Sequence, residues 1–510
     1  MAQPSGEETG EPDVGGTGVV LVGIVGGSAL ALVAETYLAR SLAPSVYGSV
    51  ALAYTMVYAI GLLIGNGIAD SVARTLSESD GPSRATVVGA GVSIAALLGT
   101  GLFLAGYLSR TALAALLAEP SLTRLLPWLL PFLVLYPLGQ VAFSAIRART
   151  DTKAAVLVRD FGPRLVGIVT IGVASVFGAN LIGAVAYWLV FPTGILVFGF
   201  GYLFSQDSLG VVQRPSTTAL STVWSHAWPL AAAASMFMLL STLDVLMIGY
   251  FLSSSEVGFY RAIQPLRQAT TFVMSAFSFA FLPVATRHFT AGRARKLANL
   301  FRFSTKWVVA ATLPLALTFV LYADSVVTLL FGSAYAPSAP ALAVLTAGLF
   351  FRTLTGLDGD LVKAIDRPKV ELWTSAVGVS VNVVLNMWLI PRFGIVGAAV
   401  GTAVGYAVYN ALELAVIYRA VGIHPFSRAT AAIVTVATVG GVAVRTLTGG
   451  QVAFPILAIA GFVIGLATLV SALSFGTLSK PELVALERVE RRSGLSFLQL
   501  IPASEEVTEA

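Results

Sequence analysis

Apolar runs of about 20 residues, each long enough to cross a bilayer as a helix, follow one another along almost the whole chain. Water-soluble chains carry about 25% charged residues to cover their surface. Here the charged share is 11%, and 56% of residues are hydrophobic. The chain is therefore an integral membrane protein. In hydrocarbon every backbone N–H and C=O must find a partner, which leaves helices or closed barrels. The period-two alternation of a barrel strand is absent, so the fold class is all-α. About fourteen transmembrane helices are predicted, near 17–40, 47–69, 85–108, 124–146, 155–177, 180–204, 220–248, 256–284, 303–323, 338–363, 370–390, 394–418, 427–446 and 452–474. The outer loops between them are read as short, and the longest, around Ser109 to Thr123, is mostly Ala and Leu.

Lys and Arg accumulate in cytoplasmic loops. The loops after even-numbered helices hold Arg74, Arg84, Arg147, Arg149, Lys153, Arg214, Arg287, Arg293, Arg295, Lys296, Arg302, Lys363, Arg367, Lys369, Arg419 and Arg428. The loops after odd-numbered helices hold only Arg40, Arg110, Arg124, Arg392 and Arg445. This bias of roughly three to one places the even loops, and so both termini, on the cytoplasmic side of the cell membrane. Net charge is +5, mostly a topology signal. No basic cluster is interleaved with stacking aromatics, which argues against nucleic acid as a partner. There is no cysteine, which excludes disulfides and thiolate chemistry. His226, His288 and His424 are far apart and show no metal-ligand spacing. The acidic stretch 1–16 is expected to be a disordered tail. Ser479-Lys480-Pro481-Glu482 opens a capping-box pattern, followed by an amphipathic helix that suits the inner leaflet or plain solvent.

A six-helix unit is present twice. "SLAPSVYGSV" (41–50) and "FLSSSEVGFY" (251–260) each follow a long apolar helix and place a glycine in the next, at an offset of about 210 residues. "AIRARTDTKAA" precedes the fifth predicted helix, and "AIDRPKVELW" the eleventh. "FGANLIGAVA" (177–186) corresponds to "FGIVGAAV" (393–400), each setting Phe-Gly in a tight outer turn. Six is even, so the halves are parallel pseudo-repeats about an axis along the membrane normal, a geometry suited to alternating access. The expected organisation is a cytoplasmic tail at 1–16, an N-lobe at 17–204, a linker at 205–219, a C-lobe at 220–421, two further helices within 422–475 and a cytoplasmic tail at 476–510.

The repeat motifs carry a resemblance. Asn382-x3-Asn386, then Leu389-Ile390-Pro391, then Phe393-Gly394-Ile395-Val396-Gly397-Ala398-Ala399 resembles the eleventh and twelfth helices of polysaccharide (Wzx-type) flippases. These belong to the multidrug/oligosaccharidyl-lipid/polysaccharide exporter superfamily. "ARSLAPSVYGSVALAYT" (39–55) and "IDRPK" (365–369) are similar to the same family's loops after helix one and before helix eleven. The resemblance spans about residues 20 to 420. It implies a MATE-like fold with two alternately opening lobes, working as a single chain without a cofactor. It also implies a polyprenyl- or dolichyl-phosphate-linked oligosaccharide as substrate, received from the membrane lipids of the inner leaflet into a cationic lumen. H+ or Na+ is a possible coupling ion.

The residues within the spans give an independent set of site candidates. A lone ionisable group at a helix centre costs about 2.5–3.5 kcal/mol, so such groups must face protein or water. In the eighth predicted helix Arg261, Gln264, Gln268, Thr271, Ser275 and Ser278 follow helical steps, with Arg267 beside them and Pro265 bending the helix. Two arginines on a polar stripe suit an anionic head group; the bland alternative has Arg261 at the outer interface, paired with Asp244. Arg352 in the tenth helix joins this substrate set. Asp358 and Asp360 are candidates for a coupling cation or proton, against a plain salt link to Lys363, Arg367 or Lys369. Asp160 and Arg164, four apart, are expected to pair on one face with Arg159 beside them, as an inner gate or a structural pair. Glu35 and Asp244, near-equivalent by the repeat, are outer-gate or proton-acceptor candidates. Asn382 and Asn386 need partners inside the lobe or lumen. Glu413 has no evident role.

Three rival readings are weaker. A membrane glycan polymerase or ligase would need catalytic polar residues in a long outer loop. A multidrug exporter taking organic cations would be repelled by the arginines. A scaffold or uncoupled scramblase would not need buried charge.

Overall fold

A computed structural model describes residues 14–78, 82–149, 151–206 and 212–474. The predicted amphipathic helix after Ser479 lies outside the described residues, as does the predicted tail apart from 14–16, which begin the first helix. Among the described residues there is no strand. The helices are α1 (Val14–Ser41), α2 (Pro44–Ser77), α3 (Arg84–Leu116), α4 (Leu122–Leu129), α5 (Phe132–Arg147) and α6 (Thr152–Val156). A π-helical turn (Leu157–Phe161) leads into α7 (Gly162–Val176), and α8 (Asn180–Gln206) and α9 (Thr217–Phe251) follow. Next come α10 (Ser254–Ala262), α11 (Gln264–Ala269), α12 (Phe272–Thr290), α13 (Ala294–Leu321), α14 (Ala323–Phe331) and a 3-10 turn (Ser333–Ser338). The remainder is α15 (Ala339–Thr355), α16 (Asp358–Ala364), α17 (Pro368–Val421), α18 (Arg428–Thr448) and α19 (Phe454–Ser474). Among the described residues nine helices are long and apolar enough to cross a membrane, or ten if the bent pair Ser254–Ser278 and Ala280–Thr290 forms one span.

Several predicted spans are interrupted, the eighth at the proline expected to bend it. The stretch 256–284 is three helices, because the Pro265 ring removes an amide donor and helical bonding restarts at Gln264 and again at Phe272. The tenth predicted span breaks at Gly356, whose φ of 79° only glycine adopts without strain. The loop expected around Ser109 to Thr123 is mostly helix, since α3 continues to Leu116. At the Pro391–Gly394 turn the helical bonding continues through Phe393, and Gly394 alone, at φ 60°, ψ −141°, reverses the chain. Gly178, in the corresponding Phe-Gly pair, is also left-handed at φ 69°.

The chain forms two compact units. One takes in the described residues up to Leu42 together with Ala53–Ser235. The other takes in Ala43–Leu52 and the described residues from Met236 on. The division therefore runs through α2 and α9 rather than between helices. In the first unit Val72, Val87, Val141, Ile146, Ile195, Leu203 and Val223 form a buried core. The Ser71 hydroxyl donates to the Val223 carbonyl, 2.6 Å away, tying α2 to α9. In the second unit Phe281, Phe301, Leu361, Val362 and Ile417 are buried together.

Lipid tails are as apolar as leucine, so helices in a bilayer associate through close backbone approach and polar links. The second unit shows the first device at the repeat-equivalent glycines. A Cβ on Gly48 would collide with the Ser254 carbonyl oxygen, and a Cβ on Gly258 with the Pro44 carbonyl oxygen. Each glycine thus meets the residue that opens the partner helix, α2 against α10, in a reciprocal contact. Gly258→Leu is expected to lower the melting midpoint of the purified protein clearly, because backbone cannot yield as a flexible side chain would. Gly440→Ala, whose added Cβ meets nothing within 4 Å, is expected to leave the midpoint unchanged.

Candidate functional site

Asp244 is fully buried near the end of α9, with no exposed surface. A carboxylate there needs donors, and four side chains supply them. The Tyr260 hydroxyl of α10 donates to Oδ2 at 2.8 Å, and the Thr402 hydroxyl donates to Oδ2 at 2.5 Å. Asn386 and Asn382 direct their Nδ2 groups at Oδ1 over 3.1 and 3.4 Å. Asn382 Nδ2 also reaches Thr402 Oγ1 at 3.2 Å, and Asn386 Nδ2 reaches Asn382 Oδ1 at 3.3 Å. Asn382, Asn386 and Thr402 are themselves fully buried. The two asparagines lie one turn apart on the first half of α17 and Thr402 on the second, so the reversal at Gly394 brings them to one carboxylate. Gly401 makes room, because a Cβ there would collide with Asn386 Oδ1. That oxygen has no hydrogen-bond partner among the described residues.

The same link occurs in the first unit. Glu35 of α1 is 5% exposed and accepts a hydrogen bond from Trp188 Nε1 of α8 at 3.4 Å. The repeat-equivalent acids are thus each held by the last helix of their own half. Sequence reasoning paired the two acids but did not name Trp188, Tyr260 or Thr402. Only the Asn-x3-Asn spacing signalled that a buried partner was needed.

The arginine stripe is split by the helix breaks. Arg261 and Arg267 are half-buried, Gln264 is buried, and Gln268 is exposed. The Gln264 Nε2 group has no hydrogen-bond partner among the described residues. Arg267 lies close enough to Tyr260 to act on its hydroxyl electrostatically, which sets a guanidinium beside the Asp244 cluster. Ser278, the last member of the stripe, donates its hydroxyl to Asp360 of α16.

Arg352 is half-buried near the end of α15, and its guanidinium carbon sits 5.4 Å from the Tyr406 ring centroid, within cation–π range. It acts electrostatically on Asp358, which is buried at the start of α16. Of the links expected for these acids, Lys363 instead pairs with Glu371, 3.1 Å apart.

In the first unit Arg164 Nη1 reaches Asp160 Oδ1 at 3.3 Å, the expected four-residue pair, and donates to the Asp160 carbonyl at 2.8 Å. The backbone differs from expectation, since Asp160 and Arg159 sit in the π-helical turn. Gly27 of α1 lies against this pair, where a Cβ would strike Arg164 Nη1. Arg159 is exposed, its guanidinium 4.9 Å from the Phe143 ring centroid. Nearby Asp151 caps α6 through the Ala154 amide. The Tyr202 hydroxyl, followed by that amide, holds its carboxyl below the usual carboxylate range.

The profile of the family described as Polysaccharide biosynthesis protein matches residues 37–340, more than half of the chain, and the chain belongs to that family. The probable low-salt glycan biosynthesis flippase Agl15 of Haloferax volcanii is 25% identical over 173 residues, 34% of this chain and 37% of its own. The probable flippase AglR of the same organism is 22% identical over 192 residues, 36% of this chain and 39% of its own. The chain thus aligns with little more than a third of the length of these curated relatives. Among solved structures, the lipid II flippase MurJ in an inward closed conformation superposes with a TM-score of 0.72 at 13% identity, covering 88% of this chain and 98% of that one. An inward-facing MATE-family multidrug resistance transporter of the MOP superfamily gives 0.63 at 14% identity, covering 78% and 94%. These likenesses show the fold, a MurJ- and MATE-like helical membrane architecture, in agreement with the superfamily that the sequence motifs resemble.

The Asp244 cluster makes its own expectation. Removing one donor from a buried charged acceptor costs about 1–3 kcal/mol. Thr402→Val, which keeps shape but loses the hydroxyl, is expected to destabilise the protein by this amount in wild-type background and by much less in Asp244→Ala. A double-mutant cycle of unfolding free energies measures the difference.

Proposed function

We propose that this protein is a flippase. It moves an oligosaccharide on a polyprenyl or dolichyl phosphate or diphosphate carrier from the cytoplasmic to the outer leaflet by alternating access. It serves polysaccharide or glycoprotein glycan synthesis. On this reading the chain crosses the cell membrane fourteen times with both termini inside, and the N-lobe (17–204) and C-lobe (220–421) are the moving parts. The observation that carries the reading is a pair of half-buried arginines, Arg267 and Arg352, on apolar helices of the second unit. Charge on such helices needs an anion or water beside it, and neither arginine is held in a short ion pair among the described residues. Arginine's fork matches phosphate oxygens. Gln264, buried with an unpartnered amide nitrogen, adds a neutral donor, and Arg261 and Gln268 complete the set. Family membership and the names of the relatives support the substrate class. Positive charge disfavours the organic cations of a multidrug exporter.

Coupling is assigned to Asp244. The donors around it are all oxygens or amides, with one carboxylate, and Asn386 Oδ1 is unpartnered. That chemistry fits a proton on Asp244 itself or, with the asparagine amides turned to present oxygen, a monovalent hard cation such as Na+, which Asp244, Asn382, Asn386 and Thr402 would hold. Glu35, held by Trp188, is the corresponding group of the first unit, and the Asp160–Arg164 pair with Arg159 is assigned to the inner gate.

Loss of the protein is expected to accumulate lipid-linked oligosaccharide on the cytoplasmic face. Arg267→Ala and Arg352→Ala are each expected to cut transport by roughly 10–100-fold, the loss of a charge-assisted contact of about 1.5–3 kcal/mol. Flux measured in proteoliposomes checks this, and wild-type flux in both variants would sink the head-group assignment. For coupling, Na+ in place of K+ is expected to raise the melting midpoint of wild type and not of Asp244→Asn. If acidification alone gives the stabilisation, the ion is a proton. If neither does, Asp244 is structural.

A further inference from the structure

A second buried acid cluster lies in the same unit, apart from Asp244. Glu413, on the second half of α17, has no exposed surface, and Asp358, at the start of α16, is 4% exposed. One oxygen of each is satisfied. Thr374 donates to Glu413 Oε1 at 3.5 Å, and the Gly359 amide donates to Asp358 Oδ1 at 3.0 Å. The other oxygen of each, Glu413 Oε2 and Asp358 Oδ2, has no hydrogen-bond partner among the described residues. The free oxygen of Glu413 points toward Asp358's segment: a Cβ built on Gly359 would lie 3.6 Å from Oε2 and 3.6 Å from the Tyr409 hydroxyl. The two carboxyl groups act on each other electrostatically. Gly359, next in sequence to Asp358, therefore lies within van der Waals reach of the Glu413 carboxyl.

The charged and titratable surroundings are few. Arg352 of α15 acts on both acids. Tyr409 and Glu371 of α17 act on Glu413, and Glu371 is tied to Lys363 of α16. Tyr406 carries the Arg352 guanidinium. Asp360 of α16 is turned to Ser278 of α12, and α13 presents Thr305 to Gly356. Two ionised carboxylates with one guanidinium would leave a net negative charge in a region closed to water. With one proton between them the pair carries a single charge, which Arg352 balances. A proton on either acid also gives one of the two unpartnered oxygens a hydrogen of its own. Two like charges closed off from water together cannot both ionise cheaply.

We propose that Asp358 and Glu413 form a carboxyl pair that binds one proton, a site separate from Asp244 whose charge is balanced by Arg352. Its use in a transport cycle rests on the flippase reading, whereas its existence does not.

The test is carbodiimide labelling of the full-length protein in lipid nanodiscs, read by mass spectrometry. Carbodiimides attack protonated carboxyl groups in apolar surroundings. At neutral pH the wild type is expected to carry an adduct on Glu413 or Asp358, rarely on both, and to lose it as pH rises. Arg352→Gln removes the balancing cation and is expected to keep the labelling to higher pH. Infrared difference spectra of wild type against Glu413→Gln are expected to show a protonated-carboxyl stretch that shifts in D2O. This isosteric variant is first checked for a single symmetric elution peak. The labelling readout needs no variant, so a misfolded Glu413→Gln leaves the proposal testable. Absence of adduct on both acids, under conditions that label a known buried carboxyl, overturns the shared proton. Labelling whose pH dependence is unchanged in Arg352→Gln overturns the charge balance. Neither outcome depends on glycan flux, so failure here and failure of the flippase reading are separate results.

Discussion

A carboxylate sealed inside a membrane protein has no water to turn to, and every hydrogen it accepts must come from the protein. Asp244 shows what this demands. Its four donors come from α10 and from both halves of α17, so helices far apart in sequence are committed to one geometry. Apolar packing cannot do this in a bilayer, because a leucine gains nothing by exchanging lipid for protein. The polar cluster fixes which helices meet, and the glycines fix how closely they do so. Gly401 is the point where the two requirements coincide, since any side chain there would displace Asn386 from the carboxylate.

The same logic applies to the two halves that the sequence motifs pair. Each half ends with a helix that returns to an acid in its first helix, through Trp188 to Glu35 and through Thr402 to Asp244. Each reversal into that helix is made by a left-handed glycine, Gly178 or Gly394. The indole of Trp188 is among the groups that hold Glu35, whereas hydroxyls and amides hold Asp244.

Charge in the second unit falls into two groups along the chain. Arg267 stands beside the Tyr260–Asp244 cluster, and Arg352 beside Asp358 and Glu413. Each arginine therefore has an acid cluster next to it without a close ion pair between them among the described residues. An arginine not locked into a short salt bridge remains available to an anionic head group, and the neighbouring acid then feels the change in its field. On the proposed flippase reading, this arrangement would tie substrate charge to the two acid clusters without a separate relay.

Membrane class, all-helical fold and family were legible in the sequence, because each rests on local pattern: run length and Gly-Pro punctuation. The Asp160–Arg164 pair was legible for the same reason, as helical spacing alone brings the two together. The π-helical turn around them was not, nor was the cutting of the predicted eighth helix into α10, α11 and α12, where hydrogen bonding restarts at places that sequence period does not mark. Asn382 and Asn386 announced a need for partners, yet Tyr260 and Thr402 could not be chosen from the many hydroxyls of the chain. Glu413 had no account until the breaks at Gly356 and Gly394 set its helix beside Asp358. Sequence by itself determined what must be hidden from lipid, since that depends on the chemistry of each side chain. Only the tertiary structure decided with whom each hidden group is satisfied, since that depends on how helices remote in the chain are brought within hydrogen-bond reach.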